Sequence, residues 1–345
     1  MRVLVAMSGG VDSSVAAALL VEAGHDVVGA TMKLWGGPSD KGCCSVDDVE
    51  DARRVAAQVG IVHRVFNFSD DFEARVVDHY VAAHAAGATP NPCIECNRHL
   101  KFRRFLDRAV KLGFDAVATG HHARVVAEQG RWRLCRGADR AKDQSYVLSV
   151  LGQDQLGRTL LPVGHLTKAD VRARASELGL RTAAKPDSQE VCFISAGGGR
   201  AAFLGERLPL HAGRVVDAAS GAEVGSVEAV ELVTVGQRRG LGGGTTGGQS
   251  RRYAVGVDAA ASTVLVGSYA DLLTERTALR DLTWVDRAVR SGSAVLAQVS
   301  AHSRAVPATF EGEWLRWSAP QRRVAPGQTV ALYDGDAVVG AGLAA

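Results

Sequence analysis

The amino-acid sequence has no long apolar run. Although 46% of its 345 residues are hydrophobic, no stretch approaches the roughly 18 to 20 apolar residues of a membrane-spanning helix. The first residues read as a strand, without the charged, hydrophobic and cleavage regions of a signal peptide. We therefore expect a cytoplasmic protein that does not act at a membrane.

Cysteine is scarce as well. The six cysteines are too few and too unevenly spaced for the disulfide framework of a small secreted protein. In a reducing compartment they indicate metal, redox or catalytic chemistry. They are Cys43, Cys44, Cys93, Cys96, Cys135 and Cys192. Cys93 and Cys96 form a Cys-x-x-Cys pair, but no second pair has the spacing of a structural zinc site, which disfavours a closed zinc centre.

The charge excess is small. A net charge of +3 excludes a strongly basic nucleic-acid-binding tail. Any such binding would depend on local basic clusters, each of which is by itself more typical of a solvated face. They lie at residues 98–108, 172–181, 237–239, 251–252 and 322–323.

The residues that are present point first to the N-terminus. Residues 2–7 form a short Val- and Leu-rich run typical of a buried parallel strand, and Ser8-Gly9-Gly10-Val11-Asp12-Ser13-Ser14 follows at once. Glycines between a strand and a helix let backbone N–H groups approach an anion. The loop has neither the lysine of a Walker A motif nor a Gly-x-Gly-x-x-Gly pattern. We interpret it as a site for phosphate or pyrophosphate.

Strand and helix patterns alternate over the first half. Strands are predicted at residues 2–7, 25–34, 61–68 and 115–120, and helices at 14–23, 45–59, 70–86 and 167–178. This order predicts an α/β fold with a doubly wound parallel sheet and a ligand at the carboxyl ends of its strands. Residues 124–135 predict a β-hairpin that turns at Gln129-Gly130.

Three further segments contain Cys93, Cys96 and Cys192 or lie between them. Residues 89–97 contain two prolines and predict a rigid loop, after which Asn97 caps a basic helix. Residues 141–146 predict the start of another helix, and residues 185–194 the end of the helical half of the chain.

The second part of the chain has a different texture. From about residue 213, short Val-rich runs alternate with glycine turns, which predicts small β units that include Thr234-Val235. A glycine-rich loop is expected at 240–248 and a small β-barrel at 282–345. We therefore divide the chain into a catalytic domain at 1–205, a small central β domain at 206–275 and a C-terminal β-barrel domain at 276–345.

The N-terminal loop resembles the PP-loop of the ATP pyrophosphatase superfamily, and further motifs make the resemblance specific. In chain order they are Ser8–Ser14, Met32–Trp35, Cys44 with Asp51–Val55, Thr89–Pro92 with Cys96-Asn97, Gly120-His121, Lys142–Tyr146, Leu166–Lys168, Asp187-Ser188 with Val191–Phe193, and Gly236–Leu241. Together they resemble the tRNA-specific 2-thiouridylases over essentially the whole chain. The resemblance implies a PP-loop, adenine nucleotide alpha hydrolase-like domain, a central domain and a C-terminal barrel.

The resemblance also implies an activity, which is ATP-dependent thiolation at C2 of the wobble uridine of tRNA. The uracil O2 is a poor leaving group and is first adenylated, with Mg²⁺, near Asp12 in this interpretation, offsetting the phosphate charge. By resemblance, Cys192 carries a persulfide and Cys96 is the nucleophile that resolves it through a transient Cys96–Cys192 disulfide. The partners implied are tRNA and a sulfur-donor protein, either a cysteine desulfurase or a sulfur relay protein.

The same matching implies the binding residues. Those that line the ATP site would be Ala6, Met7, Ser8, Gly9, Gly10, Val11, Asp12, Ser13, Met32 and Gly120. Those that meet the target base would be Asn91, Pro92 and Cys93, and further tRNA contacts would come from His121, Lys142, Asp143, Gln144 and Gln328. We expect Cys43, Cys44 and Cys135 to be structural.

The sequence departs from the family pattern at two places. Many members carry aspartate where this chain has Cys93, and a basic-aromatic pair expected near Ser300-Ala301 is missing. The first departure leaves a mechanistic alternative, in which Cys93, Cys96 and Cys192 hold a [4Fe–4S] cluster that passes sulfur to the base. Two other functions stay open: a PP-loop amide ligase acting on a small molecule, and an RNA-binding or nucleotide-sensing protein without turnover.

Overall fold

The computed structural model describes residues 1–35, 45–187, 191–194, 198–242 and 251–345. Cys43, Cys44, Ser188 and most of the glycine-rich loop expected at 240–248 lie outside the described residues. Among the described residues, no helix combines the length and apolar character needed to cross a bilayer.

The first part of the chain forms a five-stranded parallel sheet in the order β3-β2-β1-β4-β7. Its strands are β1 (Arg2–Ala6), β2 (Asp26–Lys33), β3 (Val62–Asn67), β4 (Ala116–Ala118) and β7 (Thr159–Leu160). From β1 the chain proceeds outward to β2 and β3, and later returns to the other side of β1 as β4. The strand order therefore reverses between β1 and β4, and a crevice opens at such a point in doubly wound sheets. The predicted fold class is confirmed.

Alternate residues of β1 face opposite sides of this sheet, as the period of a strand requires. Leu4 belongs to one buried apolar cluster, while Val3 and Val5 belong to another on the opposite face. The α-helices of this part of the chain are α1 (Val11–Glu22), α2 (Val46–Gln58), α3 (Ser69–Phe72), α4 (Asp78–Ala85), α5 (Pro92–Glu95), α6 (Phe105–Lys111), α7 (Gln153–Leu156), α8 (Lys168–Glu177) and α9 (Gly199–Gly205). Ser45 caps α2 and Thr167 forms a capping box with Asp170 at α8, at the starts of the two helices predicted from residues 45 and 167.

Several local predictions were wrong. A helix begins at Pro92 instead of a loop persisting to Asn97, because proline is well suited to the first helical position and Asn91 supplies the cap. That helix continues as a π-helical stretch, Cys96–Arg104, into α6. The helix expected from residue 141 is only a short 3₁₀ turn, Tyr146–Leu148. Thr234-Val235 is not a strand, and α9 adds a helical segment after residue 194.

A smaller sheet follows in the order β10-β11-β8-β9. Its strands are β8 (Gly213–Asp217), β9 (Glu223–Val227), β10 (Tyr253–Asp258) and β11 (Thr263–Gly267). The last six strands close into an antiparallel barrel, because β12 pairs with both β15 and β17. They are β12 (Leu273–Trp284), β13 (Ser293–Gln298), β14 (Val306–Phe310), β15 (Trp314–Arg322), β16 (Thr329–Asp334) and β17 (Ala337–Ala344).

The predicted hairpin is confirmed, but its partner was not foreseen. It consists of β5 (Ala123–Glu128) and β6 (Arg131–Arg136), and β6 pairs with barrel strand β17. Tyr146 joins the same two parts of the chain, since its buried hydroxyl donates to the Thr329 carbonyl over 2.8 Å. The first and last parts of the chain therefore share one apolar core.

A buried histidine connects α4 to the short turn Val230–Leu232. His84 is 2% exposed, and its Nδ1 lies 3.1 Å from the Glu231 carbonyl oxygen. Burial lowers the pKa of His84 to about 4; the Glu231 hydrogen bond opposes this shift and the nearby Arg200 charge adds to it. His84 is therefore neutral at pH 7, and protonating it would place a charge at this contact.

We expect this contact to make the protein acid-sensitive. Because the pKa of His84 is lower in the folded chain than its ordinary 6.5, the unfolded chain binds the proton more tightly. Stability is then fully present above pH 6.5 and falls as the pH drops toward 4. His84→Asn should flatten this part of the profile by about 3 kcal/mol, measured by urea unfolding at a series of pH values. The same slope in His84→Asn and in the control His302→Asn, an exposed site, would contradict the assignment.

Candidate active site

The loop at residues 8–10, which we call the SGG loop, connects β1 to α1 at the crevice between β1 and β4. Gly10 caps α1 without any side-chain hydrogen bond. The hydroxyls of Ser13 and Ser14 both donate to the Gly10 carbonyl, over 3.1 and 2.8 Å. The first backbone N–H groups of a helix have no carbonyl partner within it. An anion at this end of α1 could therefore accept several hydrogen bonds and gain from the helix dipole.

Two glycines permit this close packing. Gly9 has a φ of 71°, a conformation in which a side chain would be strained, and a Cβ there would collide with the Asp48 carbonyl. Gly120, directly after β4, lies so close to α1 that a Cβ would come within 2.6 Å of both the Asp12 carbonyl carbon and the Ser13 nitrogen. The structure thus brings the SGG loop and Gly120 together, as expected for two residues at the ends of adjacent strands.

Asp12 faces two cationic or titratable groups. Both of its carboxylate oxygens lie 2.8 Å from Lys168 Nζ, and Oδ1 lies 3.1 Å from His122 Nε2. Burial raises the pKa of Asp12, but the hydrogen bonds from His122 and Lys168 outweigh it, and the net pKa is lowered. The SGG loop contains no lysine, yet the fold places a lysine from α8 beside it.

Lys168 also binds a second carboxylate. Its Nζ lies 2.8 Å from Asp187 Oδ1, and Asp187 further accepts from Lys142 over 2.8 Å and from Arg172 over 2.9 Å. Desolvation raises the pKa of Asp187, but the hydrogen bonds from Lys142 and Lys168 lower it to about 2. Asp187 is therefore ionised throughout the physiological range. We refer to Asp12, Lys142, Lys168, Arg172 and Asp187 as the ionic network.

A neighbouring pair of contacts holds the chain just before Asp187. Lys185 Nζ lies 2.7 Å from Asp48 Oδ1 and 2.8 Å from Asp51 Oδ2. Asp48 is also the residue whose backbone packs on Gly9. Residues 185–187 are therefore tied to α2 as well as to the ionic network.

The two adjacent histidines after Gly120 have different surroundings. His121 is buried against Phe102, and its Nδ1 lies 2.7 Å from Thr119 Oγ1. Burial, with the nearby Lys101 and His122 charges adding to it, lowers the pKa of His121 well below its ordinary value. The histidine that contacts Asp12, in the first turn of α1, is instead His122. A tRNA contact by His121 stays a prediction, and its buried position does not favour one.

The Cys-x-x-Cys pair lies in the first two turns of the helix that begins at Pro92. Asn91 Oδ1 accepts from the Cys93 backbone N–H over 3.1 Å. Cys93 is exposed, whereas Cys96, one turn further on, is 7% exposed. Asn97 donates from its buried amide to the Val147 carbonyl over 3.0 Å, which ties this helix to the turn beside the barrel.

One apolar cluster contains both predicted catalytic cysteines. Cys96 is a buried member of this cluster, as are Ala6 and Met32 from the ends of β1 and β2. Cys192 is partly buried and packs against the cluster. Phe193, next to Cys192, lies 5.0 Å from Phe203 between ring centroids. The structure therefore gathers the two cysteines and part of the predicted ATP site around the same side of the sheet.

The predicted tRNA residues are distributed over several contacts. Asp143 accepts from Arg136 over 2.8 Å, which assigns it an internal role. Gln144 pairs with the His122 backbone, since its side-chain oxygen accepts from the His122 N–H over 2.9 Å. Gln328 in the barrel donates to the Thr89 carbonyl, just ahead of Asn91. Lys142 is 41% exposed although it binds Asp187.

The described residues contain no group of three or more histidine, cysteine, aspartate or glutamate side chains that could hold a metal ion. Cys93, Cys96 and Cys192 therefore do not converge as the ligands of an iron–sulfur cluster in this arrangement. Mg²⁺ makes a smaller demand, since one or two carboxylates and substrate phosphates suffice. Asp12 fits the role of such a carboxylate, although a bound ion would compete with Lys168 for its oxygens.

The sequence pattern alone gives no role to Lys168, Asp187 or His122. The first two stand in the family-like motifs Leu166–Lys168 and Asp187-Ser188, so the signal was present, but the sequence alone does not show that they meet. His122 was overlooked because its neighbour His121 belongs to the motif.

Comparison with known proteins gives matches along the whole chain. Residues 1–196 match the family model described as the tRNA methyl transferase HUP domain, residues 201–268 the tRNA methyl transferase PRC-barrel domain, and residues 275–344 the aminomethyltransferase beta-barrel domain.

Full-length relatives carry a different functional name. The tRNA-specific 2-thiouridylase MnmA of Chloroflexus aurantiacus is 46% identical over 353 residues, covering 99% of this chain and 97% of the relative. The protein of the same name from Mycobacterium avium is 47% identical over 355 residues, covering 99% and 98%.

Solved structures match more weakly. The U34-tRNA thiolase NcsA of Methanococcus maripaludis with its [4Fe-4S] cluster is 17% identical, covers 60% of this chain and 63% of its own, and has a TM-score of 0.37. That TM-score is too low to support a functional inference.

The close approach of Gly120 to α1 generates a testable prediction. Gly120→Ala would push a Cβ into the Asp12 and Ser13 backbone and displace the first turn of α1. We expect the affinity for a non-hydrolysable ATP analogue, measured by calorimetry, to fall about tenfold or more, which corresponds to ~1.4 kcal/mol.

Gly256→Ala is the matched control, because a Cβ there would meet only the Leu265 side chain at an ordinary 3.5 Å. Unchanged affinity in Gly120→Ala would mean that the analogue does not bind at this end of α1.

Proposed function

Because the chain belongs to the tRNA-specific 2-thiouridylase family, we propose that it replaces the 2-oxygen of the wobble uridine of tRNA with sulfur at the expense of ATP. The observation that carries the proposal is the combination of an anion-binding helix end at the SGG loop with Cys96 and Cys192 in one neighbouring cluster. Ala6 and Met32, at the ends of β1 and β2, belong to that same cluster, so an activating site at this edge of the sheet would adjoin a sulfur-transfer site.

In the first step the uracil O2 attacks the α-phosphorus of ATP, pyrophosphate leaves, and the base becomes adenylated. The N–H groups at the start of α1 would hold the phosphates, and Lys168 supplies a positive charge beside them. Asp12 would hold Mg²⁺ together with phosphate oxygens, and the ion would offset their negative charge. Ala6, Met32 and Gly120 would border the nucleotide in this proposal.

In the second step Cys192 carries a persulfide received from a sulfur-donor protein, a cysteine desulfurase or a sulfur relay protein. The terminal sulfur attacks C2 of the base, and AMP leaves with the original oxygen. The Cys96 thiolate then attacks the Cys192 sulfur, which forms a Cys96–Cys192 disulfide and leaves 2-thiouridine on the tRNA. An external thiol reduces the disulfide for the next cycle. Asn91, Pro92 and Cys93, at the start of the cysteine helix, would meet the target base.

The proposal is tested by nucleoside mass spectrometry. Unmodified tRNA is incubated anaerobically with the protein, Mg-ATP and a persulfide donor, and then digested. We expect 2-thiouridine from the unaltered chain, and a loss of at least about 100-fold in Cys96→Ser and Cys192→Ser, since a serine hydroxyl is a weak nucleophile without activation. Both variants should still release pyrophosphate when tRNA is added.

The matched control is Cys135→Ser. Cys135 lies on β6, away from the cluster that contains Cys96 and Cys192, so this variant should keep its thiolation. A mass increase that corresponds to a methyl group, or pyrophosphate release driven by ammonia and a small acid, would contradict the proposal. The second result would favour the amide ligase.

The persulfide route makes a separate prediction about iron. We expect anaerobically purified protein to contain no stoichiometric iron and no brown absorbance, and Cys93→Ser to keep its tRNA-dependent pyrophosphate release. Stoichiometric iron that is lost in Cys93→Ser, together with lost thiolation, would contradict the persulfide route and support sulfur transfer from a cluster.

A further inference from the structure

A cavity of about 400 Å³ opens at the outer edge of the parallel sheet, between β3 and α6. On the strand side it is lined by Val65, Phe66 and Phe68, and on the helix side by Arg108 and Lys111. An apolar wall and a basic wall therefore adjoin. We refer to this cavity, together with the outer edge of β3, as the β3 groove.

The outer edge of β3 is open. Among the described residues, β3 pairs only with β2, so its other edge offers backbone N–H and C=O groups without a strand partner. Val62 and Val65 are 54% and 44% exposed, and the strand contains no proline. Exposed β-branched residues on an open edge are features of a strand that can accept another strand.

The groove also has an excess of positive charge. Three cations and two carboxylates line it, namely Arg104, Arg108, Lys111, Asp71 and Asp107. Arg104 already binds Asp71 over 2.9 Å. In the part of the chain that the structure describes, Arg108 and Lys111 form no ion pair, and Arg108 instead covers the Phe66 ring, with 5.6 Å from the guanidinium carbon to the ring centroid. A guanidinium stacked in this way keeps N–H groups available for a carboxylate.

An extended polypeptide fits this combination better than RNA does. Its backbone could pair with the open edge of β3, its apolar side chains would cover Val62 and Val65, and its carboxylates would reach the two cations. RNA phosphates would meet the cations but would leave the valines and the strand edge without partners. The groove therefore favours a protein segment that carries both acidic and apolar side chains.

The groove adjoins the apolar cluster that contains the cysteines. Phe66 and Phe68 pack against the same cluster in which Cys96 is buried and against which Cys192 packs. The Phe66 ring lies 6.4 Å from the Phe105 ring, between centroids, and Phe105 is a fully buried member of this cluster. A protein bound at the groove would therefore rest on the same cluster as the two cysteines.

We propose that the β3 groove is the docking site of the sulfur-donor protein, which adds an extended acidic segment to the edge of β3. The inference rests on the proposed function, because only sulfur transfer through Cys192 requires such a donor. In the step that docking serves, the Cys192 thiolate attacks the terminal sulfur of the donor's persulfide. The S–S bond of the donor breaks, its cysteine leaves as a thiolate, and the persulfide is then on Cys192.

The experiment measures the initial rate at which Cys192 gains a persulfide, by peptide mass spectrometry after alkylation. The donor is the cysteine desulfurase of the same organism, supplied with cysteine and varied in concentration; neither tRNA nor ATP is added. Glutathione persulfide serves as a second donor, because a small molecule needs no docking surface. We expect the rate with the desulfurase to saturate, and its half-saturating concentration to rise with added salt, as for association between opposite charges.

Two variants reverse the charge of the groove. Arg108→Glu and Lys111→Glu should each raise the half-saturating desulfurase concentration about fivefold or more, since reversing a charge at an interface slows association with an oppositely charged partner. Their rates with glutathione persulfide should equal that of the unaltered chain. The matched control is Arg103→Glu, at an exposed position of the same continuous helix that does not line the cavity, and it should leave both rates unchanged.

Hydrogen exchange tests the strand addition itself. We expect the desulfurase to slow amide exchange in the peptide that contains residues 62–67, because a docked strand would pair with backbone N–H groups that otherwise face water. The same protection should be lost in Arg108→Glu at an equal desulfurase concentration. Exchange at β3 that the desulfurase does not slow would overturn the strand addition.

Several results would overturn the docking site: no saturable transfer from the desulfurase, an unchanged half-saturating concentration in both groove variants, or an equal rise in Arg103→Glu. Groove variants that bind tRNA more weakly but accept sulfur from the desulfurase normally would assign the surface to RNA instead. The outcome is separable from that of the proposed function. Groove-dependent loading of Cys192 without 2-thiouridine would contradict the proposed function alone, and desulfurase-driven thiolation unaffected by both variants would contradict the inference alone.

Discussion

The contact between the end of β4 and the first turn of α1 is the constraint on which the site depends. Gly120 approaches the Asp12 and Ser13 backbone so closely that no side chain fits between them. This contact holds the start of α1 at the crevice where the strand order reverses. It also places the residues after β4 beside Asp12, so that His122 reaches the carboxylate. The anion-binding end of the helix is therefore set by backbone packing before any side chain contributes.

Charge is then brought to that helix end from distant parts of the chain. Lys168 lies far along the sequence from Asp12, with a separation of 156 residues, and it arrives because α8 packs on α1 in the same apolar cluster that contains Val15 and Val171. The network has three cationic side chains, Lys142, Lys168 and Arg172, and two carboxylates, Asp12 and Asp187. Because its members are only partly exposed, their attraction is screened less than that of a surface pair.

The barrel is part of the site's support. The β5–β6 hairpin leaves the first sheet and pairs with β17, and Gln328 and Pro326 contact the backbone at Thr89. The residues that precede the Cys-x-x-Cys helix are therefore held by the far end of the chain. A tRNA bound across this junction would meet the barrel and the cysteine helix as one surface, and this arrangement suits a substrate much larger than a nucleotide.

Local sequence chemistry was sufficient for some of these features. The SGG loop, the caps at Ser45 and Thr167, the hairpin turn at Gln129-Gly130 and the alternation that defines the parallel sheet all depend on neighbours within a few residues. It was insufficient at Pro92, where the same ring that forbids a helix interior is favourable in the first turn. The choice between those outcomes depends on whether a cap and a packing surface are available.

What the sequence by itself determined is the fold class, the phosphate-binding character of the N-terminal loop and, through its ordered motifs, the family. Only the tertiary structure decided that His122 faces Asp12 while His121 is buried, that Lys168 bridges Asp12 and Asp187, and that the hairpin joins the barrel. The physical reason is range: caps, turns and strand periodicity are interactions between neighbours in the chain. An ion pair between α1 and α8 depends instead on how two helices pack, and no local pattern records that distance.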